Sequence, residues 1–212
     1  GDHRDLHSLR RRQRQMCIRD SIFDFVVSLI LLILLAPLFA LVALAIKLDS
    51  KGPVFFRQVR VGRDGEFVLY KFRTMVANAE QLKKKLLKKS ERKGPLFKLK
   101  NDPRITRVGR ILRRFYIDEL PQLINVLKGE MSLVGPRPHL PEEVAKYKKH
   151  HKEVLTIKPG ITGLAQISGA SDLDFEEEVR LDTYYIHNWS FWLDIIILLK
   201  TVWVALIGKG AA

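Results

Sequence analysis

From Ile22 to Ile46 the chain is apolar at almost every position, with Asp24 near the start of the run and Pro37 past its middle. As one continuous helix this run extends roughly 37 Å, enough to cross a hydrocarbon core of about 30 Å. No other stretch restricts the fold so strongly, because every backbone polar group placed in lipid must find its partner within the protein. The run is too long for the apolar part of a signal peptide, and no small-residue cleavage site follows it. Pro37 removes a helix hydrogen bond and crowds the preceding turn, so a strong bend is expected there. Cations flank both ends, arginines before Asp20 and then Lys47, Lys51, Arg57 and Arg60. Positive flanks belong on the cytoplasmic side. A helix that dips in, breaks and returns satisfies both ends, and a straight span does not. Residues 21–48 are therefore read as a re-entrant membrane helix.

Residues 1–20 have a different composition, rich in arginine and without apolar periodicity. They read as a tag, linker or other non-native or disordered tail, with a native basic arm on a membrane as the other reading. The chain's only cysteine, Cys17, lies there. An intrachain disulfide and a cysteine-based metal cluster are thereby excluded, in agreement with a reducing compartment. A net charge of +14 over 212 residues favours an anionic partner: nucleic acid, acidic lipid or a phosphorylated substrate.

Residues 49–208 read as one domain at the membrane interface. Alternation in Val54–Val61 and Phe67–Arg73, around the turn Gly62-Arg63-Asp64-Gly65, predicts a small β-hairpin. Helical patterns follow at 76–93, which is very lysine-rich, and at 105–114, 120–128, 141–153 and 175–187. Phe191–Ile207, interrupted by Asp194 and Lys200, is expected to lie as an amphipathic helix in the interface, with Trp189, Trp192 and Trp203 at headgroup level. A core helix is the competing reading. The fold class is α+β and helix-dominated: a single monotopic membrane domain with a proline-broken re-entrant helix, a hairpin and interfacial helices.

Chemistry concentrates in Arg113-Arg114-Phe115-Tyr116-Ile117-Asp118-Glu119-Leu120-Pro121-Gln122. Proline is tolerated in the first turn of a helix, so the two carboxylates are expected at a helix entry, near free N–H groups that attract anions. Asp118 reads as a nucleophile and Glu119 as an acid/base or supporting ligand. A pair that merely caps the helix and neutralises Arg113 or Arg114 is the plainer reading. Lys71 and Arg73 alternate about Phe72 and would project to one face of a strand, converging on an anion. Asp102-Pro103-Arg104-Ile105-Thr106 adds a turn and cations. Gly135-Pro136-Arg137-Pro138 fixes a guanidinium between two prolines, suited to gripping a phosphate. Lys158-Pro159-Gly160-Ile161-Thr162-Gly163 is another rigid turn, with no role assignable from its chemistry. The histidines have no zinc spacing, and His150-His151 lie in a cationic run, so a metal is sought among oxygen ligands, with magnesium preferred beside phosphates.

These motifs in this order, from about Ser21 to Ile207, resemble the catalytic region of the bacterial sugar transferases, the monotopic polyprenyl-phosphate phosphoglycosyl transferases. The resemblance implies transfer of a sugar-1-phosphate from a UDP-sugar to undecaprenyl phosphate, with release of UMP. It implies an aspartyl-phosphosugar intermediate on Asp118, Mg2+ at Asp118, and Glu119 helping to deprotonate the lipid phosphate. Lys71, Arg73, Arg104, Arg113, Arg137 and Pro138 are the expected substrate-binding residues, and Ala36-Pro37 the membrane break. UDP-glucose or UDP-galactose is the expected donor, used to begin exopolysaccharide, capsule or O-antigen. The expected place is the cytoplasmic face of the bacterial inner membrane, with the lipid bilayer as partner, no nucleic acid, and a homo-oligomer left open. Two positions depart from the family pattern: Ala36 where serine is familiar before the proline, and Ala170-Ser171 where arginine commonly follows the glycine. A rival of another class is a non-catalytic basic protein on the membrane surface, binding acidic lipid or nucleic acid through Arg104, Arg107, Arg110, Arg113 and Arg114. It leaves the carboxylate pair among those cations unexplained.

Overall fold

The structure, a computed structural model, describes residues 22–79, 81–82, 99, 102–169 and 173–208. The expected tail 1–20, most of the lysine-rich stretch 76–93, and Ala170-Ser171 lie outside the described residues.

The apolar run forms two helices, α1 (Ile22–Leu34) and α2 (Ala36–Asp49), bent by 61°. Among the described residues no single helix is long and apolar enough to cross a membrane; only this bent pair is, by length and composition. The break falls at Leu35 rather than at Ala36-Pro37, which instead open α2. The reason is steric: in a first turn the proline ring meets no preceding carbonyl and its missing N–H costs nothing. One side of α1, carrying Phe23, Val27, Leu31 and Leu32, packs on a core built around Leu123, Leu133, Tyr185 and Ile197. The inner side of α2, Val42 and Ile46, packs with Phe72 and Leu112. Leu29, Ile30, Ile33, Leu34, Leu41, Leu44 and Leu48 face outward.

The hairpin forms as expected, β1 (Phe55–Gly62) antiparallel to β2 (Gly65–Phe72), with Phe55 opposite Phe72 and Gly62 opposite Gly65. Gly65 takes φ 114°, a conformation that suits the tight Arg63-Asp64 turn and that L side chains resist. One face of this ribbon carries Phe56, Gln58 and Arg60 from β1 against Lys71, Leu69 and Phe67 from β2.

Helix α3 (Arg107–Arg114) starts from Thr106, whose hydroxyl accepts from Gly109 N at 3.0 Å. The expected helix 120–128 divides into a 3-10 turn, Ile117–Gln122, and α4 (Leu123–Leu127). A second sheet was not foreseen: β3 (Ser132–Val134) runs parallel to β4 (Gly160–Thr162). Three-residue strands offer too little alternation to detect. Their register brings the two rigid turns together, with Gly160 N donating to Pro136 O at 2.9 Å. Contact is so close that a Cβ on Gly160 would lie 2.1 Å from Gly135 N. The turn at Lys158-Pro159-Gly160 thus acquires a role, as the support of the loop that carries Arg137.

The expected helix 141–153 is also divided, into α5 (Pro141–Val144) and a 3-10 helix, His150–Thr156. The backbone N–H of Lys148 donates to His151 Nδ1 at 3.1 Å, so a side chain takes the bond that a continuing helix would need. After α6 (Leu164–Ser168) come α7 (Phe175–Asn188) and α8 (Phe191–Leu206). Helix α8 buries Ile197 completely while Trp192, Leu199, Val202, Trp203 and Leu206 are exposed. Its awkward Asp194 accepts from Tyr185 Oη at 2.7 Å and Trp189 Nε1 at 2.9 Å. Trp189 therefore turns inward to a carboxylate, unlike Trp192 and Trp203.

Candidate active site

The Asp118-Glu119 motif is delivered by an abrupt change of direction. After α3, Tyr116 adopts φ 56°, the left-handed conformation, and the chain enters the 3-10 turn holding Asp118 and Glu119. Left-handed backbone at a non-glycine residue is uncommon and typical of constrained sites. Ile117 packs beside Phe72 and Leu112, and Leu123 enters the main core, so both ends of the turn are anchored. Asp118 is left only 7 % exposed.

Two surfaces close on this turn. From β2, Lys71 Nζ reaches Glu119 Oε1 at 2.5 Å. From α3, Arg113 Nε donates to Thr74 Oγ1 at 2.9 Å, with its charge drawn towards Asp118 and Asp102. The third contributor is the loop after β3. Burial opposes the charge on Arg137, but Glu119, Glu178, Glu143 and Asp118 outweigh it and hold the guanidinium proton more firmly than usual. No hydrogen bond or ion pair to that guanidinium occurs among the described residues.

The two carboxyls are electrostatically different. Burial, then the neighbouring Glu119 charge, raise the Asp118 carboxyl above its ordinary range despite Lys71 and Arg113. Burial acts against ionised Glu119 too, but Lys71, Arg137 and Arg60 overcome it and hold that carboxyl low. The motif thus pairs a firmly ionised glutamate with an aspartate whose negative charge is incompletely compensated.

Lys71, Arg113, Arg137, Asp118 and Glu119 are brought together. Arg73 and Arg104 are not. Arg73 donates to Lys51 O at 2.6 Å and to Ser50 O at 2.7 Å, fastening the chain just beyond α2. The strand ends at Phe72, so the alternation that would align Arg73 with Lys71 stops one residue too soon. Arg104 forks onto Asp102, Nη2 to Oδ2 at 2.6 Å and Nε to Oδ1 at 2.9 Å, with both residues buried. Against burial, that guanidinium keeps the Asp102 carboxyl below its usual range. Arg104 and Arg113, two of the five arginines on which a nucleic-acid surface was considered, are therefore turned inward. Pro138 contributes its carbonyl, which accepts from Arg60 Nη1 at 3.0 Å.

Arg60 is the residue that sequence reasoning counted only as a membrane flank. Burial, then Arg137, press its guanidinium down to about 10. It shares a hairpin face with Lys71, and strand parity from the predicted hairpin would have placed it there. Behind Arg137 lies a buried polar group, in which His139 Nδ1 bonds the Tyr147 hydroxyl and His139 Nε2 lies 3.4 Å from Glu178 Oε1.

His150 and His151 converge with Glu176, with ligand atoms within 4.8 Å of one another. However, His151 Nδ1 accepts the Lys148 N–H, which leaves the proton on Nε2 facing Glu176. Lys148 Nζ also lies 3.3 Å from that carboxylate. The group is built as a charge-assisted surface contact.

A model of the family described as bacterial sugar transferase matches residues 15–208. The chain is 54% identical over 162 residues, 76% of its length and 36% of the relative's, to the galactosyl transferase CpsE of Streptococcus agalactiae. It is 47% identical to the undecaprenyl-phosphate galactose phosphotransferase of Salmonella typhimurium, covering 89% of this chain and 40% of that protein. To the undecaprenyl-phosphate glucose phosphotransferase of Komagataeibacter xylinus it is 46% identical, covering 85% and 34% respectively. The chain thus spans only 34% to 40% of the length of these three relatives.

Proposed function

Given that the chain belongs to the bacterial sugar transferase family, we propose that it is a phosphoglycosyl transferase moving a hexose-1-phosphate from UDP-galactose or UDP-glucose to undecaprenyl phosphate. The observation that carries this reading is the buried Asp118 carboxylate beside ionised Glu119, ringed by Lys71, Arg113, Arg137 and Arg60. Such a ring suits a diphosphate, whose negative charge a carboxylate nucleophile must otherwise approach unaided.

In the first half-reaction an Asp118 oxygen bonds to the β-phosphorus and the bond from that phosphorus to the bridging oxygen breaks. The electron pair stays on the bridging oxygen, which leaves as part of UMP. In the second, an oxygen of the lipid phosphate bonds to the same phosphorus and the Asp118 carboxylate is released. Glu119, kept ionised by Lys71 and Arg137, accepts the proton of a singly protonated lipid phosphate. Arg137, with no hydrogen bond or ion pair to its guanidinium among the described residues, is available to phosphate oxygens.

The residues fit a magnesium ion. Asp118 is an oxygen donor whose charge lacks a paired cation at hydrogen-bond distance among the described residues. Magnesium typically takes one or two carboxylates, substrate phosphates and water. Bound at Asp118, it would supply charge neutralisation for the phosphates.

The apolar faces of α1, α2 and α8 support a seat in the cytoplasmic leaflet of the inner membrane, α1 and α2 entering and returning. Leu29, Ile33, Leu41 and Leu44, with Trp192, Leu199, Val202 and Trp203, are exposed. Large apolar side chains exposed together in this way mark a protein or membrane contact. The natural place for such a reaction is the first membrane step of exopolysaccharide, capsule or O-antigen synthesis. The test is UMP release in detergent with magnesium, undecaprenyl phosphate and a panel of UDP-sugars. Release with a UDP-hexose is expected; no release with any of them would remove the reading.

A further inference from the structure

Resting on that reading, we propose that Arg60 is a positioning residue for departure of the nucleotide: it fixes the Pro138 carbonyl and so sets the loop segment that presents the Arg137 guanidinium, which meets the charge gathering on the leaving phosphate. The first support is geometric. Arg60 reaches across from β1 to the loop after β3, Nη1 donating to Pro138 O at 3.0 Å and Nη2 to Gln58 Oε1 at 2.7 Å. Pro138 adjoins Arg137, so this bond fixes the segment from which the free guanidinium projects. The second is electrostatic. Glu143 Oε2 lies 3.9 Å from Arg60 Nη1, and the same carboxylate attracts Arg137, so one acid draws both half-buried guanidiniums to this loop.

The charge demand is specific to one half-reaction. When the β-phosphorus leaves the bridging oxygen, the electron pair stays with the nucleotide and its phosphate passes from one negative charge towards two. Arg137, held by Arg60, meets that developing charge. When the lipid phosphate later attacks the adduct, the nucleotide has gone and the leaving group is the Asp118 carboxylate. Loss of Arg60 therefore slows adduct formation and spares adduct discharge.

The experiment separates the two steps in single turnover with full-length protein in detergent. Adduct formation is followed as UMP release from a UDP-hexose without acceptor; discharge is followed by mixing preformed adduct with undecaprenyl phosphate. For Arg60→Gln, UMP release slows about 10- to 100-fold, less than the roughly 100- to 1,000-fold that loss of a transition-state donor itself costs, while discharge changes by less than about threefold. Arg60→Lys keeps the charge but cannot hold Pro138 and Gln58 together, and recovers part of the loss in the first step alone. It also decides the matter should Arg60→Gln fail to fold, as judged by thermal melting. Equal slowing of both steps, or no slowing of the first, overturns the proposal while leaving the transferase reading intact. Absence of UMP release from the unaltered protein overturns the transferase reading and this inference with it.

Discussion

Two acid–arginine groupings lie a short way apart in the chain and behave in opposite ways. Asp102 and Arg104 are both buried and forked together at 2.6 to 3.1 Å, each consuming the other's charge. Asp118 and Arg137 attract one another without such a bond, and Asp118 is left with its ionisation opposed by burial and by Glu119. The first grouping is complete without a ligand and holds the turn before α3. The second is incomplete, which is what a site for a charged substrate requires. Residue type does not separate the two; whether the charges are already spent does.

Substitutions at the two aspartates should break the comparison most sharply. Asp118→Asn is expected to lower UMP release by more than about a thousandfold, as loss of a covalent nucleophile does. Its melting temperature should be equal or higher. A carboxyl raised in the fold binds protons more tightly there than in the unfolded chain, so its contribution to stability declines as pH rises between those two values. Removing the ionisable group removes that penalty. Asp102→Asn should do the reverse, costing on the order of 3 kcal/mol of stability by stranding a buried guanidinium. Its melting curve and its rate at a temperature where it remains folded distinguish the two effects.

Next in size is Arg137→Ala, for which adduct formation should fall about a hundredfold with little change in melting temperature, since Arg137 carries no protein hydrogen bond among the described residues. The pH profile sharpens the contrast further. Activity needs ionised Asp118, whose carboxyl is raised, so the rate should begin to fall at a higher pH than an unperturbed aspartate would produce. The Asp102 carboxyl is lowered; its stabilising bond survives that acidification and fails only at lower pH. A rate and a melting temperature that decline together over one pH range would contradict this. The smallest effect is expected at the apolar surface: Leu199→Asp should weaken sedimentation with liposomes and leave the detergent rate within about twofold.

Much of this was legible because the physical signals were local. The proline-broken apolar run, the hairpin turn and the helix 175–187 each announce themselves within one continuous stretch of chain. Pro37 was correctly read as a source of bending, and its ring explains why the break falls at Leu35, ahead of it. Signals that depend on distant partners were lost. Arg73 looked like Lys71 because alternation was extended past the end of β2, and its carbonyl partners lie more than twenty residues earlier. Arg60 stayed hidden since its role depends on a loop 78 residues away. The parallel pair β3–β4 has no periodicity to read, yet it carries the Arg137 loop.

The central claim is a covalent bond between Asp118 and phosphorus, and intact-protein mass measurement after mixing with a UDP-hexose in the absence of lipid acceptor tests it most directly. The mechanism predicts a mass increase of one hexose-phosphate, mapped by peptide fragmentation to Asp118, absent in Asp118→Asn and lost on adding undecaprenyl phosphate. Rapid UMP release with no adduct under any quench, or an adduct on another residue, would contradict it.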